Sequence, residues 1–201
     1  HHKTALASPH NTTIILTVTG IRALTISTLT VPYLGILASL QLIDPSVANI
    51  ALVKASDALD MQGSVLALGA SVSTWAQAAS VLVMGFLGDR FGRRRVLAAS
   101  LLLALSGNLL SMLANEAGLF LLGRALTGIA LGSVLTSTFA SVRCVTSAAG
   151  VSAALGLWNL LIVVGFISGS LIGGWMAAID WRLAFVLVPM ICILSLLLLP
   201  V

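Results

Sequence analysis

Gly85-Phe86-Leu87-Gly88-Asp89-Arg90-Phe91-Gly92-Arg93-Arg94-Arg95 gathers one carboxylate, four arginines and three glycines into a single short stretch. Apolar segments flank it on both sides, residues 65–86 before and 96–113 after. Each is long enough to cross a bilayer, which takes roughly 20 apolar residues. A basic turn joining two spanning helices belongs on the cytoplasmic side. Glycines at 85, 88 and 92 permit close approach of helix ends and a sharp turn. Asp89 can accept hydrogen bonds from backbone N–H groups at a helix N-terminus or from Arg93. The arginines can pair with carboxylates or lipid phosphates.

The rest of the chain fits that setting. Of 201 residues, 59% are hydrophobic and only 8% charged, with a mean hydropathy of +1.12. So little charge excludes an ordinary soluble domain and points to an all-α polytopic membrane protein. The net charge of +4 does not indicate nucleic acid, because the basic residues sit at helix ends rather than on one solvated face. Cys144 and Cys192 form neither a disulfide framework nor a metal-ligand spacing, and His1, His2 and His10 are confined to the N-terminus. No phosphate-binding loop, metalloprotease helix or nucleophile elbow is visible, so neither enzyme chemistry, a metal nor a cofactor is expected.

Six spans follow in order. Residues 1–30 are expected to be a cytoplasmic segment, and residues 31–201 a six-helix domain. Residues 13–30, rich in Thr, Ile, Leu and Val, are open to a short strand, a surface-lying segment or an early extension of the first helix. Asn11-Thr12-Thr13 matches a glycosylation acceptor but falls on the cytoplasmic side of this topology. In the first span, residues 31–53, Gln41, Asp44, Pro45 and Asn49 share an arc of roughly 140°. The second span places Gly69, Ser73, Gln77, Ser80 and Met84 on one face, with Trp75 roughly opposite. The third, residues 96–113, reads as a peripheral, lipid-facing helix with Asn108 near its outer end. Arg124 lies inside the fourth span and Arg143 closes it. Gly165, Gly169 and Gly173 make a stripe on the fifth, the spacing of close helix packing. Asp180-Trp181-Arg182 opens the sixth. Basic residues divide seven (Lys3, Arg22, Arg90, Arg93, Arg94, Arg95, Arg143) against two (Lys54, Arg182), which predicts both termini in the cytoplasm. The glycine-rich turns after the second and fifth spans face opposite sides, as a 3+3 inverted repeat requires.

Several of these stretches resemble signatures of the major facilitator superfamily. Gly85 to Arg95 is similar to its loop between the second and third helices, G-x-L-(a/g)-D-R-x-G-R-(K/R)-(K/R). Arg124-Ala125-Leu126-Thr127-Gly128-Ile129-Ala130-Leu131-Gly132 resembles its fourth-helix pattern, and Trp181-Arg182 the opening of its sixth helix. Residues 42–52 resemble the first-helix signature of the drug:proton antiporters with fourteen spans, L-D-x-T-(I/V)-V-N-V-A-L-P. Asp44, Asn49, Ala51 and Leu52 match, whereas Ser46 replaces Thr and Val53 replaces Pro. Gly156, Gly165, Gly169, Gly173 and Gly174 match the fifth-helix antiporter pattern G-x8-G-x3-G-P-x2-G-G, with Ser170 at the Pro position.

The resemblance implies the N-terminal half of a transporter, with a C-terminal half absent from this chain and a substrate site between halves. Its partners would be a small-molecule substrate, the bilayer of the cell membrane and that second half, and its energy source a proton gradient. Asp44 and Arg124 both lie about 10–15 Å below the outer surface at 1.5 Å per residue. Opposite charges at similar depth are not expected to face lipid, and the resemblance implies that both face the central cavity. Asp44 is then the candidate proton or cation site, exchanging a proton for a cationic substrate or for contact with Arg124. The alternative is structural, with Asp44 capping the break at Pro45 and Arg124 serving backbone carbonyls. Gly85, Gly88, Asp89, Arg90, Gly92 and Arg93 form a candidate conformational latch. Gln41, Asn49, Ser73, Gln77, Thr127 and Asn159 are candidate cavity-lining residues; Trp75 and Trp158 read as packing or interfacial residues. Proton-coupled efflux of amphipathic or cationic compounds is the leading expectation. Uptake of an anionic metabolite on Arg124, or a half-length subunit that transports nothing, are the alternatives.

Overall fold

The computed structural model describes the backbone of residues 9–198 and the side chains of residues 29–198. Expectations for Lys3, Asn11, Arg22 and the other side chains before Leu29, and for the end of the chain at 199–201, lie outside the described residues. Long apolar runs with few charges can satisfy their backbone in a bilayer only as helices or closed barrels. Here they are helices: α1 (Pro9–Ala58), α2 (Gly63–Phe91), α3 (Arg93–Met112), α4 (Ala117–Val145), α5 (Val151–Ile179), α6 (Trp181–Ala184) and α7 (Leu187–Leu198). Of the three conformations open to residues 13–30, the backbone takes the helical extension, since α1 is continuous from Pro9. It also passes through Pro32 and Pro45 without interruption.

Six segments are long and apolar enough to span a membrane: 29–58, 63–91, 93–112, 117–145, 151–179 and 181–198. The last comprises α6 and α7, separated by a break at Phe185 and Val186. The fraction buried in each span's most apolar window runs 56%, 17% and 39%, then 56%, 17% and 39% again. That repetition in steps of three supports the 3+3 repeat. The packing agrees: α1 lies on α5 and α2 on α4, pairs that exchange when the first and fourth spans and the second and fifth are swapped.

Small residues set the distances. A Cβ added to Gly169 would meet Ile43 Cδ1 at 2.8 Å, one at Gly165 would meet Ser39 Oγ at 2.5 Å, and one at Gly173 would collide with Val47. The α5 stripe therefore seats residues 39, 43 and 47 of α1, one per turn. On α4, Gly128 lies against the Ser73 carbonyl of α2, and Gly132 against Gln77 O, where a Cβ would fall at 2.6 Å. Gly107 of α3 and Gly123 of α4 meet the same way; a Cβ on Gly123 would lie 2.7 Å from Gly107 O.

Three expectations change. Gly156 and Gly85 have nothing within 4 Å of an added Cβ, so neither is a close-approach position. Gly156 lies on the exposed side of α5, and Gly85 opens on a cavity between α2 and α4; spacing alone cannot tell either from a packed position. The third helix is not simply lipid-facing: Ser100, Ala104, Gly107, Asn108 and Ser111 are buried, and Ser100 Oγ donates to Ser133 Oγ on α4 at 2.5 Å. Its abundance of Leu conceals a stripe of small residues. Gly169→Leu is expected to destabilise the protein by about 1–3 kcal/mol through overpacking, while Gly156→Ala leaves it unchanged. Thermal unfolding followed by circular dichroism in detergent checks both, and equal losses would reject the packing assignment.

Candidate functional site

At one end of the bundle the basic stretch is organised around a single residue. The expected loop shrinks to Gly92, with α2 ending at Phe91 and α3 starting at Arg93. Gly92 has φ +91°, where a side chain would be strained, so this glycine is required by the turn itself. Gly88 is buried near the Arg93 stem, whose Cγ would lie 3.8 Å from an added Cβ. Arg93 joins three helices. Its Nη2 donates to Asp89 Oδ1 at 3.0 Å on α2, while Nη1 donates to Ala140 O at 2.8 Å and Cys144 Sγ at 2.9 Å on α4. The Ala140 carbonyl sits in the last turns of its helix, where the dipole favours a cation. Arg90 takes no part in this junction; its guanidinium lies 5.8 Å from the Phe91 ring centroid. Of the two partners considered for Asp89, Arg93 is the one found.

Deeper in the bundle the structure brings Asp44 of α1 and Arg124 of α4 together. Arg124 Nη1 donates to Asp44 Oδ1 at 3.1 Å and Nη2 to Oδ2 at 2.7 Å. The residues are 2% and 1% exposed, so both charges are held out of solvent and out of lipid alike. A two-point contact between a planar guanidinium and a carboxylate fixes orientation as well as distance. The register follows from packing. Arg124 sits between Gly123, which lets α3 come close, and Gly128, which does the same for α2. On α1, Asp44 follows Ile43, the residue seated on Gly169.

The aromatic surround of Arg124 was not foreseen. Its guanidinium lies 5.8 Å from the Phe185 ring centroid, a cation–π distance. Phe185 sits in the break between α6 and α7 and packs edge-on with Phe120 and Trp181, with centroids 5.7 and 6.3 Å away. The one available signal was its position four residues after Trp181, at the start of the last span. Arg124 Nε has no partner among the described residues.

The candidate lining residues are scattered. Gln41 and Gln77 are half-buried, Asn49 and Asn159 exposed. Ser73 is buried with an unpaired Oγ. Thr127 is fully buried, donating to Gly123 O at 2.9 Å and approached by Asn108 Nδ2 at 3.4 Å, so it lies between α3 and α4 and not on an open cavity wall. Trp75 is 74% exposed, and Trp158 is buried edge-on against Phe139. Ser46 and Ser170, two of the residues that depart from the signatures of the first and fifth helices, meet: Ser170 Oγ donates to Ser46 Oγ at 3.0 Å. At the opposite end from Arg93, Lys54 Nζ donates to Ala178 O at 2.6 Å, and Arg182 donates to Ala114 O at 3.1 Å and Asn115 Oδ1 at 3.0 Å. The first holds a cation at the C-terminal end of α5, and the other two hold one on the turn that follows α3.

Six spanning helices, a buried carboxylate–guanidinium pair and an arginine-held turn agree with sequence similarity. Residues 34–201 match the Major Facilitator Superfamily, and the chain belongs to that family. It is 31% identical over 106 residues to an uncharacterized MFS-type transporter of Mycobacterium tuberculosis, covering 52% of this chain and 15% of the relative. It is 32% identical over 126 residues to an uncharacterized MFS-type transporter of Bacillus subtilis, covering 61% and 30%. Over 110 residues it is 34% identical to the acurin A biosynthesis cluster MFS-type transporter of Aspergillus aculeatus, covering 53% and 19%. The chain thus spans less than a third of the length of these relatives. These relatives are named as transporters, not enzymes.

Asp44→Ala leaves a buried guanidinium without its counter-ion and is expected to cost on the order of 3 kcal/mol. Asp44→Ala combined with Arg124→Met removes both charges and is expected to recover most of that loss. A double-mutant cycle of thermal unfolding in detergent measures the coupling, and additive losses would mean that the two groups do not depend on each other.

Proposed function

We propose that this chain forms part of a proton-coupled transporter that exports amphipathic or cationic small molecules by alternating access, on the drug:proton antiporter plan with fourteen spans. Further spans, from a longer chain or a partner, complete the substrate cavity, in keeping with the small share of each relative that aligns. The basic end of the bundle faces the cytoplasm and the membrane is the cell membrane, a reading supported by five arginines (90, 93, 94, 95 and 143) gathered at that end. The observation that carries the proposal is the bidentate Asp44–Arg124 pair, buried between the two most enclosed spans.

Such a pair has two states. Ionised, Asp44 is neutralised by Arg124. Protonated, it releases the guanidinium, which retains the Phe185 face and is free to turn toward other acceptors. A cation arriving at the carboxylate and a proton arriving at it are then mutually exclusive, which is the requirement for exchange. Closure and opening need a second element. Arg93 supplies it by tying α2, α3 and α4 at one end through contacts that break and reform as a unit. The Ser46–Ser170 bond takes the place of a proline on α5 and leaves α1 and α5 joined by a reversible contact.

A second reading keeps the fold and reverses the substrate charge: the unpaired Nε of Arg124 is an open donor for an anionic metabolite taken up by the cell. Proteoliposomes loaded with a fluorescent lipophilic cation separate the two. The proposal expects cation movement against an imposed proton gradient, lost in Asp44→Asn with the protein still folded; pH-driven flux that survives this substitution would remove Asp44 from coupling. In Asp89→Asn, spin-label distances across the basic end are expected to shift toward the inward-open population. An unchanged distribution would reduce the Asp89–Arg93 contact to an anchor.

A further inference from the structure

We propose that the groove between α2 and α3 at the basic end of the bundle binds one anionic phospholipid, its acyl chain between the helices and its phosphate on Arg95. α2 and α3 turn at the single residue Gly92, and each then leans on α4 rather than on the other. A wedge of about 430 Å³ is left between them. Met84, Leu87 and Phe91 form one wall, and Val96, Ala99 and Leu103 the other. From Arg95 to Leu103 the groove runs about 12 Å along α3 at 1.5 Å per residue. Its lining is almost wholly apolar, and Ser100, the one hydroxyl in it, is already committed to Val96 O and Ser133 Oγ.

Arg95 lies at the mouth of this wedge. The charge around it is unbalanced. Arg90, Arg93, Arg94, Arg95 and Arg143 share this end with one carboxylate, Asp89, which is taken by Arg93. Arg90, Arg94 and Arg95 have no carboxylate partner among the described residues. An apolar slot inside the bilayer, opening beside unneutralised guanidinium groups at the level of the headgroups, fits a molecule with a hydrocarbon tail and an anionic head. A second helix, about 10 Å across with its side chains, is too wide for a wedge that closes at a one-residue turn. Occupancy would brace α2 against α3 beside the Arg93 junction.

The full chain, delipidated in detergent, can be titrated with dioleoylphosphatidylglycerol or dioleoylphosphatidylcholine and read by native mass spectrometry. One bound phosphatidylglycerol is expected, retained about fivefold over phosphatidylcholine, the scale of one added surface charge contact. Arg95→Gln should abolish that preference, whereas Arg94→Gln, with the same loss of net charge, should keep it. Ala99→Phe fills the groove and should reduce retention of both lipids; Leu103→Phe serves the same purpose if the first variant fails to fold by circular dichroism. Equal retention of the two lipids by the unsubstituted protein would overturn the site. So would equal losses in Arg94→Gln and Arg95→Gln, displacement of the lipid by millimolar inorganic phosphate, undiminished binding in a folded groove-filled variant, or cross-linking of Ala99→Cys to another segment of the protein.

Discussion

Close contact of helix backbones at small residues governs this bundle. Between helices in a bilayer the hydrophobic effect offers no preference for helix over lipid, so shape decides which surfaces meet. Here the shape is supplied by Gly165, Gly169 and Gly173 against α1, by Gly128 and Gly132 against α2, and by Gly107 and Gly123 between α3 and α4. None of these sites has space for a methyl group without displacing its neighbour. The register they impose places residue 44 of one helix beside residue 124 of another.

That register gives the buried ion pair its meaning. A carboxylate and a guanidinium taken out of water lose much of their hydration, and recover it only if geometry is good on both sides. Two nearly parallel hydrogen bonds and an aromatic face provide that geometry at Arg124. The same arrangement leaves Arg124 Nε, Ser73 Oγ and Asn108 Oδ1 buried without partners among the described residues. The two ends differ in kind. Arg93 makes one concentrated junction of three helices, whereas Lys54 and Arg182 make separate contacts, on the end of α5 and on the turn that follows α3.

Much of this was readable beforehand where one residue type has few tolerable places. An arginine or aspartate inside an apolar run is costly to leave in lipid, so Asp44 and Arg124 stood out at similar depth, although a cap at Pro45 and backbone carbonyls remained open as their partners. The glycine stripe on α5 was readable as a packing surface because spacings of four select one helix face. Its partner was not, since any of several helices could have offered a matching row. Gly156 and Gly85 show the limit: their spacing or motif position is right, but the space beside them is empty. The third helix misled because Leu dominates its composition, and the Ser, Ala, Gly and Asn residues that it buries are diluted by leucines, of which only Leu97 and Leu101 are buried with them.

By itself the sequence determined the number of spans, the helical class, the asymmetry of charge between the two ends and the identity of the groups that chemistry could use. These follow from local quantities: run length, residue type and helical period. Tertiary structure alone decided that Arg93 also reaches Ala140 and Cys144 on α4, that Ser46 meets Ser170, that Phe185 covers Arg124, and that α2 and α3 part to leave a groove at Arg95. Each depends on how one helix is placed against another. Helical periodicity tells a residue which way it faces, and only the packed neighbour settles what it faces.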